Sequence, residues 1–332
     1  MNMENPFTKS VPTSEKVKKL LSVISSEDTV AILINADPDA IASAMALKRI
    51  FWRKVKKTEI FRVNPIKRAD NLAMVKLLKV KVHHIRRMNA SECTKWAMVD
   101  SQPHHDPAFQ KYKFNIIIDH HPVSPGSTAD FLDIKEEYGA TSTLLIEYMR
   151  SLKIQPSPRL ATALFYGIKT DTDNFARDAT TNDINAFRYL YSRVNNNIIK
   201  KIEFSELTKR SLKSFRTAIN RFEIVKNRAF VHMGKVADPD ILVMIADFFL
   251  KVAEATWSIA SGVYGQKLII IIRNAGFRRD AGKVARELFG QLGSAGGHKN
   301  ASRAEISMSV LEEPFRDEEN ARQFVLEKIR QI

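Results

Sequence analysis

Three apolar runs in the first half of the chain each lead to an acidic cluster. Val30-Ala31-Ile32-Leu33-Ile34 precedes Asp37-Pro38-Asp39, Trp96-Ala97-Met98-Val99 precedes Asp100, and Phe114-Asn115-Ile116-Ile117-Ile118 precedes Asp119-His120-His121. The runs are rich in β-branched residues and nearly continuous rather than alternating. That is the pattern of strands buried on both faces, as in a parallel sheet. Each cluster then falls at the carboxyl end of a strand, the edge where open α/β sheets bind ligands. A fourth cluster, Asp171-Thr172-Asp173, follows later.

Between the runs the apolar spacing is helical. Ile41, Ala44, Met45, Leu47, Ile50 and Phe51 predict a helix over about 40–54. A strand over 59–63 and helices near 71–78, 140–152 and 158–168 continue the alternation. This βαβ rhythm predicts an α/β fold whose mostly parallel sheet carries helices on both faces. Residues 195–215 read as a polar helical linker, broken by Asn195-Asn196-Asn197, which leaves a first domain over 1–194. A smaller α/β domain over 216–332 follows, with strands at 222–231, 255–263, 267–273 and 303–310. Its helices are expected at 239–252 and 282–289, with a glycine-rich turn after the second. Asp317 is the expected N-cap of an amphipathic tail helix. A length of 332 residues suits two domains.

Composition narrows the class. Hydrophobic residues at 44% and charged residues at 27% support a packed core. A single cysteine, Cys93, excludes an internal disulfide framework and fits a reducing cytoplasm. No apolar run approaches the ~20 residues that cross a bilayer, and the polar N-terminus has no signal core. The expectation is a cytoplasmic protein with no membrane partner. A net charge of +15 draws an anionic partner without naming it. Assembly as a homodimer stays open.

The clusters suit divalent metal. Hard cations prefer carboxylate oxygens, and a histidine in the set tilts the choice toward Mn²⁺ over Mg²⁺. Two such ions ~3.5–4 Å apart can clamp a phosphate and stabilise a leaving oxygen. Asp37 and Asp39 can each face one metal, Asp100 is a natural bridge, and His120 and Asp171 complete the cage. Singly, Asp37 or Asp39 reads equally as a helix N-cap and Asp100 as the start of a turn. Four carboxylates packed without cations would repel one another and take up protons, so the ordered set favours metal.

Asn35-Ala36-Asp37-Pro38-Asp39-Ala40-Ile41-Ala42-Ser43, Asp100, Asp119-His120-His121 and Gly167-Ile168-Lys169-Thr170-Asp171-Thr172-Asp173-Asn174-Phe175 resemble, in order, the four motifs of the DHH phosphoesterase family. Gly293-Ser294-Ala295-Gly296-Gly297-His298-Lys299-Asn300-Ala301 resembles the glycine-histidine motif of the DHH-associated C-terminal domain. The arrangement is most similar to the nanoRNase/pAp phosphatase branch. That resemblance implies hydrolysis of short RNA or DNA oligonucleotides such as pApA, and of 3′-phosphoadenosine 5′-phosphate, by metal-activated hydroxide in a cleft between the domains. It implies that Asp39, Asp100, His120 and Asp171 hold one Mn²⁺, and that Asp37 and Asp100 serve a second. Mg²⁺ and Co²⁺ are the alternatives.

Asp100, His120 and His121 become the catalytic set, with His121 beside the substrate phosphate. Ser43 supports the first loop and Asp119 orients a histidine. His298, Arg273, Gly296 and Gly297 become substrate contacts, with Lys299, Arg303, Arg278 and Arg279 nearby in sequence. Many relatives carry a histidine four residues before the first motif aspartate, where this chain has Leu33. The Asp37 site is therefore expected to bind more weakly. His104-His105 lie near the centre in sequence, while His83-His84 and Cys93 read as structural. Two other readings remain open: a polyphosphate, pyrophosphate or cyclic-dinucleotide-related phosphohydrolase, and a non-catalytic nucleotide- or RNA-binding protein.

Overall fold

The computed structural model describes residues 11–176, 179–205, 207–276, 279–311 and 317–331. Arg278 lies outside them. Contacts divide the chain into two compact units, Met1–Glu206 and Leu207–Ile332.

The first unit begins with α1 (Thr13–Ser22), β1 (Thr29–Ile34), α2 (Pro38–Phe51), β2 (Lys57–Arg62), α3 (Ala69–Leu77) and β3 (Val82–His84). It continues with β4 (Lys95–Val99), β5 (Ile116–Asp119), β6 (Phe131–Ile134), α4 (Thr141–Ser151), α5 (Pro158–Asp171), α6 (Thr181–Tyr191) and α7 (Asn196–Glu203). The six strands form one sheet in the order β3-β2-β1-β4-β5-β6. Every pairing is parallel. Register sets Leu33 beside Met98 and Val99 beside Ile118, so the acidic clusters after β1, β4 and β5 share one edge.

The helices do not cover both faces of this sheet. Val30, Ile32, Ile34, Val99 and Ile118 join a core completed by buried residues of all seven helices. The opposite face, Ala31, Leu33, Phe61, Met98 and Ile117, packs against Phe109 and Phe114. The β3–β4 and β4–β5 connections run over short 3₁₀ turns such as Ile85–Arg87 and Phe109–Lys111 instead of α-helices. The βαβ rhythm predicts helices on this face that these two connections do not supply.

The second unit contains α8 (Lys209–Arg221), β7 (Glu223–Val225), β8 (Arg228–Lys235), α9 (Asp240–Phe249), β9 (Trp257–Tyr264), β10 (Lys267–Asn274), α10 (Ala281–Phe289), β11 (Gly293–Gly297), β12 (Ala301–Ser307) and α11 (Glu318–Ile329). Its sheet runs β11-β12-β10-β9-β8-β7. All pairings are antiparallel except β8 with β9. Here helices do flank both faces. Ala218, Leu242, Ile245 and Phe249 pack on one, and Val284, Phe289, Val325 and Ile329 on the other.

Two local readings change. The strand expected over 222–231 is the hairpin β7–β8, turned at Lys226, whose φ is +60°. The glycine-rich turn is instead the edge strand β11, paired with β12 from Gly293↔Ile306 to Gly297↔Ser302. Gly297, at φ +147°, has no room for a side chain, since a Cβ there would lie 2.3 Å from the Ala301 carbonyl oxygen. Asp317 accepts a hydrogen bond from the Asn320 N–H at 2.8 Å, capping α11. Among the described residues no helix is long and apolar enough to cross a membrane.

Candidate metal centre

The turn after β1 delivers two carboxylates at once. Asp37 caps α2, its Oδ1 accepting the Ala40 N–H at 2.9 Å. Asp39 lies just inside the helix and is fully buried. Its carboxylate is held by the first amides of α4: Thr141 N–H donates to Oδ2 at 2.6 Å and Ser142 N–H to Oδ1 at 3.0 Å. A helix N-terminus is the natural partner of a buried anion. Burial and the Asp171 charge still raise Asp39 to about 6, and the same two causes raise Asp37 to about 7.

Asp100 leaves the end of β4 with φ +59°, a left-handed conformation that costs energy for a non-glycine residue. Its Oδ1 accepts the Thr141 hydroxyl at 2.8 Å. Its Oδ2 is buried with no hydrogen-bond partner. Burial, then Asp39, Asp37 and Asp171, push its carboxyl well above the usual range. Asp171 ends α5, where the helix macrodipole disfavours an anion. A bound cation would offset both penalties.

His120 completes the group. Its Nδ1 lies 3.0 Å from the Tyr138 carbonyl oxygen, which fixes Nδ1 as the donor. Its buried Nε2 stands 3.1 Å from Asp171 Oδ2 and 3.5 Å from Asp100 Oδ1, without hydrogen-bond geometry to either. Such proximity requires a positive charge: a second proton on the ring or a cation between the groups. In the metal-free chain burial opposes the proton, but Asp171 and Asp39 favour it and raise the ring to about 9. One ligand atom from each of Asp39, Asp100, His120 and Asp171 lies within 4.8 Å of all the others. Asp37 stands outside this group. Leu33, fully buried against the loop-covered face of the sheet, contributes no ligand.

His121 is held from behind. Its Nδ1 donates to Asp119 Oδ1 at 2.8 Å, and its ring lies 4.5 Å from that of His120. Burial alone would raise the Asp119 carboxyl, but His121 and Gln102 outweigh it and hold it low. Gln102, fully buried, is a residue the sequence reading missed. Its Nε2 donates to Asp119 Oδ2 at 2.7 Å, while its Oε1 accepts from Ser124 N–H at 2.6 Å. Thr141 and Ser142 were missed as well, although small hydroxyl residues opening a helix after Gly139 were the available signal.

Ser43 Oγ reaches Asp39 Oδ1 at 3.5 Å and Ser142 Oγ at 3.4 Å. Gly167 allows α5 to approach closely, because a Cβ there would meet Asp39 Oδ1 and Ser142 Oγ at 2.9 Å. His105 stands edge-on to His121 with ring centroids 5.4 Å apart. His84 caps a 3₁₀ turn through Arg86 N–H at 3.2 Å, and Cys93 Sγ lies 3.6 Å from the Asn89 carbonyl oxygen.

The expected substrate residues of the second unit lie along β10–β12. His298 is exposed, its backbone N–H donating to the Ala301 carbonyl at 2.8 Å. Arg273 donates through Nε to Asp247 Oδ1 at 2.6 Å, and Arg303 pairs with Glu305 at 2.7 Å. The sequence had suggested neither partner. Gly296 has room around it: a Cβ at that position would meet nothing nearer than Arg286 Nη1, at 3.8 Å.

Three carboxylates and one imidazole with an orphaned nitrogen fit a divalent cation of hard to borderline character. The fold and this donor set define a class of proteins: α/β chains with an acidic metal centre at the carboxyl edge of a parallel sheet. Residues 29–168 match the DHH family, N-terminal domain. An uncharacterized protein of Methanocaldococcus jannaschii is 34% identical over 298 residues, covering 90% of this chain and 61% of that protein. The chain thus spans about 61% of that relative's length.

An exopolyphosphatase-related protein from Bacteroides fragilis superposes with a TM-score of 0.74 at 16% identity, covering 98% of each chain. The exonuclease RecJ bound to manganese superposes with a TM-score of 0.51 at 11% identity, over 97% of this chain and 98% of its own. At these identities the two likenesses show the fold.

Proposed function

We propose that this chain is a metal-dependent phosphoesterase that hydrolyses short oligonucleotides such as pApA, and 3′-phosphoadenosine 5′-phosphate. The observation that carries the reading is the four-residue group with its two orphaned atoms, Asp100 Oδ2 and His120 Nε2. Asp39, Asp100, His120 and Asp171 would hold one divalent ion, and Asp37 with Asp100 a weaker second. When bound, such ions neutralise phosphate charge and make water nucleophilic near neutral pH. RecJ, similar in fold, was crystallised with manganese, and the imidazole in this set favours the same ion.

The chain's own groups do the rest. Thr141 and the first amides of α4 fix Asp39 and Asp100, so the carboxylates need not reorganise as charge develops. Asp119 holds the Nδ1 proton of His121, leaving Nε2 as the face it offers to a phosphate oxygen. His298, Arg273, Gly296 and Gly297 are the proposed substrate contacts of the second unit. The net charge of +15 supports an anionic substrate.

The test is hydrolysis of pApA, 3′-phosphoadenosine 5′-phosphate, a longer RNA and polyphosphate with Mn²⁺, beside Asp100→Ala. Polyphosphate enters the panel because the Bacteroides fragilis protein is described as exopolyphosphatase-related. Release of product from the two short substrates, lost in Asp100→Ala, supports the reading. Activity on polyphosphate alone replaces the substrate, and binding without hydrolysis of anything replaces the enzyme. Two equivalent tight Mn²⁺ sites in a titration would count against the weaker role of Asp37.

A further inference from the structure

The second sheet ends in a row of three buried polar or aromatic residues. Arg228 on β8 stands in register with Trp257 on β9, and Trp257 with Asn274 on β10. Arg228 is 6% exposed and Asn274 3%. Asn274 is fully used: its Nδ2 donates to the Arg279 carbonyl at 2.6 Å, and its Oδ1 accepts from Gly276 N–H at 2.8 Å. Those bonds tie the loop carrying Arg279 to the strand end.

Arg228 is not used in this way. Its Nε and Nη1 are buried without any hydrogen-bond partner. Among the described residues no carboxylate is paired with it. Burial and the neighbouring positive charge of Arg279 both weaken its hold on its proton.

A buried guanidinium with two idle donors is rare, because native proteins satisfy such groups or leave them in water. A second cation beside it makes the arrangement worse. An oxyanion addresses both faults: its oxygen accepts from an idle guanidinium N–H, and its charge quenches the repulsion between the arginines. The N-terminus of α10 does not supply this site. Its first N–H groups already donate to the Lys299 and His298 carbonyls and to Asp280. Arg228 is also remote from the glycine-rich strand. β12, β10 and β9 lie between β11 and β8, a separation of about 19 Å at ~4.8 Å per strand.

We propose that Arg228 and Arg279, at the Trp257–Asn274 end of the second sheet, bind a phosphate-type oxyanion, free or carried on a nucleotide. The site requires no metal, so it stands or falls independently of the acidic centre.

Thermal unfolding of the full chain in chelator, titrated with inorganic phosphate or adenosine 5′-monophosphate against sodium chloride of matched ionic strength, tests it. Both anions raise the midpoint saturably beyond the chloride control. The one that saturates at lower concentration identifies the source, free phosphate or nucleotide. Arg279 is exposed, and Arg279→Gln raises the half-saturating concentration by about tenfold, as loss of a charge-assisted contact should. Arg228→Met abolishes the response while leaving the anion-free midpoint at or above that of the parent, because an unpaired buried charge is removed. Asp100→Ala responds like the parent. An unsaturable response in the parent, unchanged saturation in Arg279→Gln, loss of response in Asp100→Ala, or an Arg228→Met midpoint well below the parent overturns the site.

Discussion

Each unit leaves a buried charge uncompensated at one end of its sheet, with opposite sign. In the first, Asp100 Oδ2 is buried without a hydrogen-bond partner near the charges of Asp39, Asp37 and Asp171. In the second, Arg228 leaves two donors idle beside Arg279. The scaffolds differ in a way that matches. A parallel sheet brings the carboxyl ends of several strands to one edge, so loops from three strands and the end of one helix can converge on a cation. In the second sheet the parallel pair β8–β9 starts where the antiparallel β10 ends, which sets Arg228, Trp257 and Asn274 in one row. The first arrangement assembles a cage from distant loops. The second assembles a shallow row.

The largest effect is expected at Asp100. Asp100→Ala removes the shared ligand, and calorimetry should show divalent-metal affinity reduced by more than about a hundredfold, since even supporting residues cost about 10–100-fold. Retained affinity would mean that the crowded carboxylates are not a cation site. Thr141→Val keeps the amide that holds Asp39 but deletes the hydroxyl on Asp100. Its metal affinity should fall by about 10–100-fold with the fold intact by circular dichroism. Gly167→Ala forces a methyl to within 2.9 Å of Asp39 Oδ1 and Ser142 Oγ. Overpacking of this kind should lower unfolding free energy by about 1–3 kcal/mol in a urea titration.

The smallest effect is on pH dependence. Asp37 and Asp39, raised from an ordinary 3.8 to about 7 and about 6, bind protons in the folded metal-free chain that the unfolded chain releases. Their contribution therefore declines as pH rises from about 4 to 7. His120, raised from 6.5 to about 9, contributes stability fully below 6.5 that is lost as pH rises through 9. Both slopes run the same way, so the chelated protein should unfold at lower temperature at about pH 8 than at about pH 5. Mn²⁺, which competes with those protons, should flatten or reverse the trend. A metal-free midpoint that climbs with pH would contradict the proposed electrostatics.

Much of the first sheet was legible because burial on both faces leaves a continuous apolar signature, and β1 spans the residues that its run predicts. The placement of every helix on one face was not legible. Periodicity marks which side of a helix is buried, not which side of the sheet it covers. The edge strand β11 reads as a turn in the sequence because glycine carries no pattern of its own. Its strand character comes from pairing with β12. Gln102 and Thr141 escaped notice for a related reason: a polar residue in a loop has no periodicity, and its role exists only through partners distant in sequence.

By itself the sequence determined the chemistry on offer: four acidic clusters in order, the histidines among them, and Leu33 where no ligand can be. These are legible because residue type and strand endings are local properties. The tertiary structure alone decided that Asp39, Asp100, His120 and Asp171 converge in one group that Asp37 does not join, and that Arg228 is buried with two idle donors. Both outcomes depend on strand register and helix approach. Those are set by packing among residues far apart along the chain.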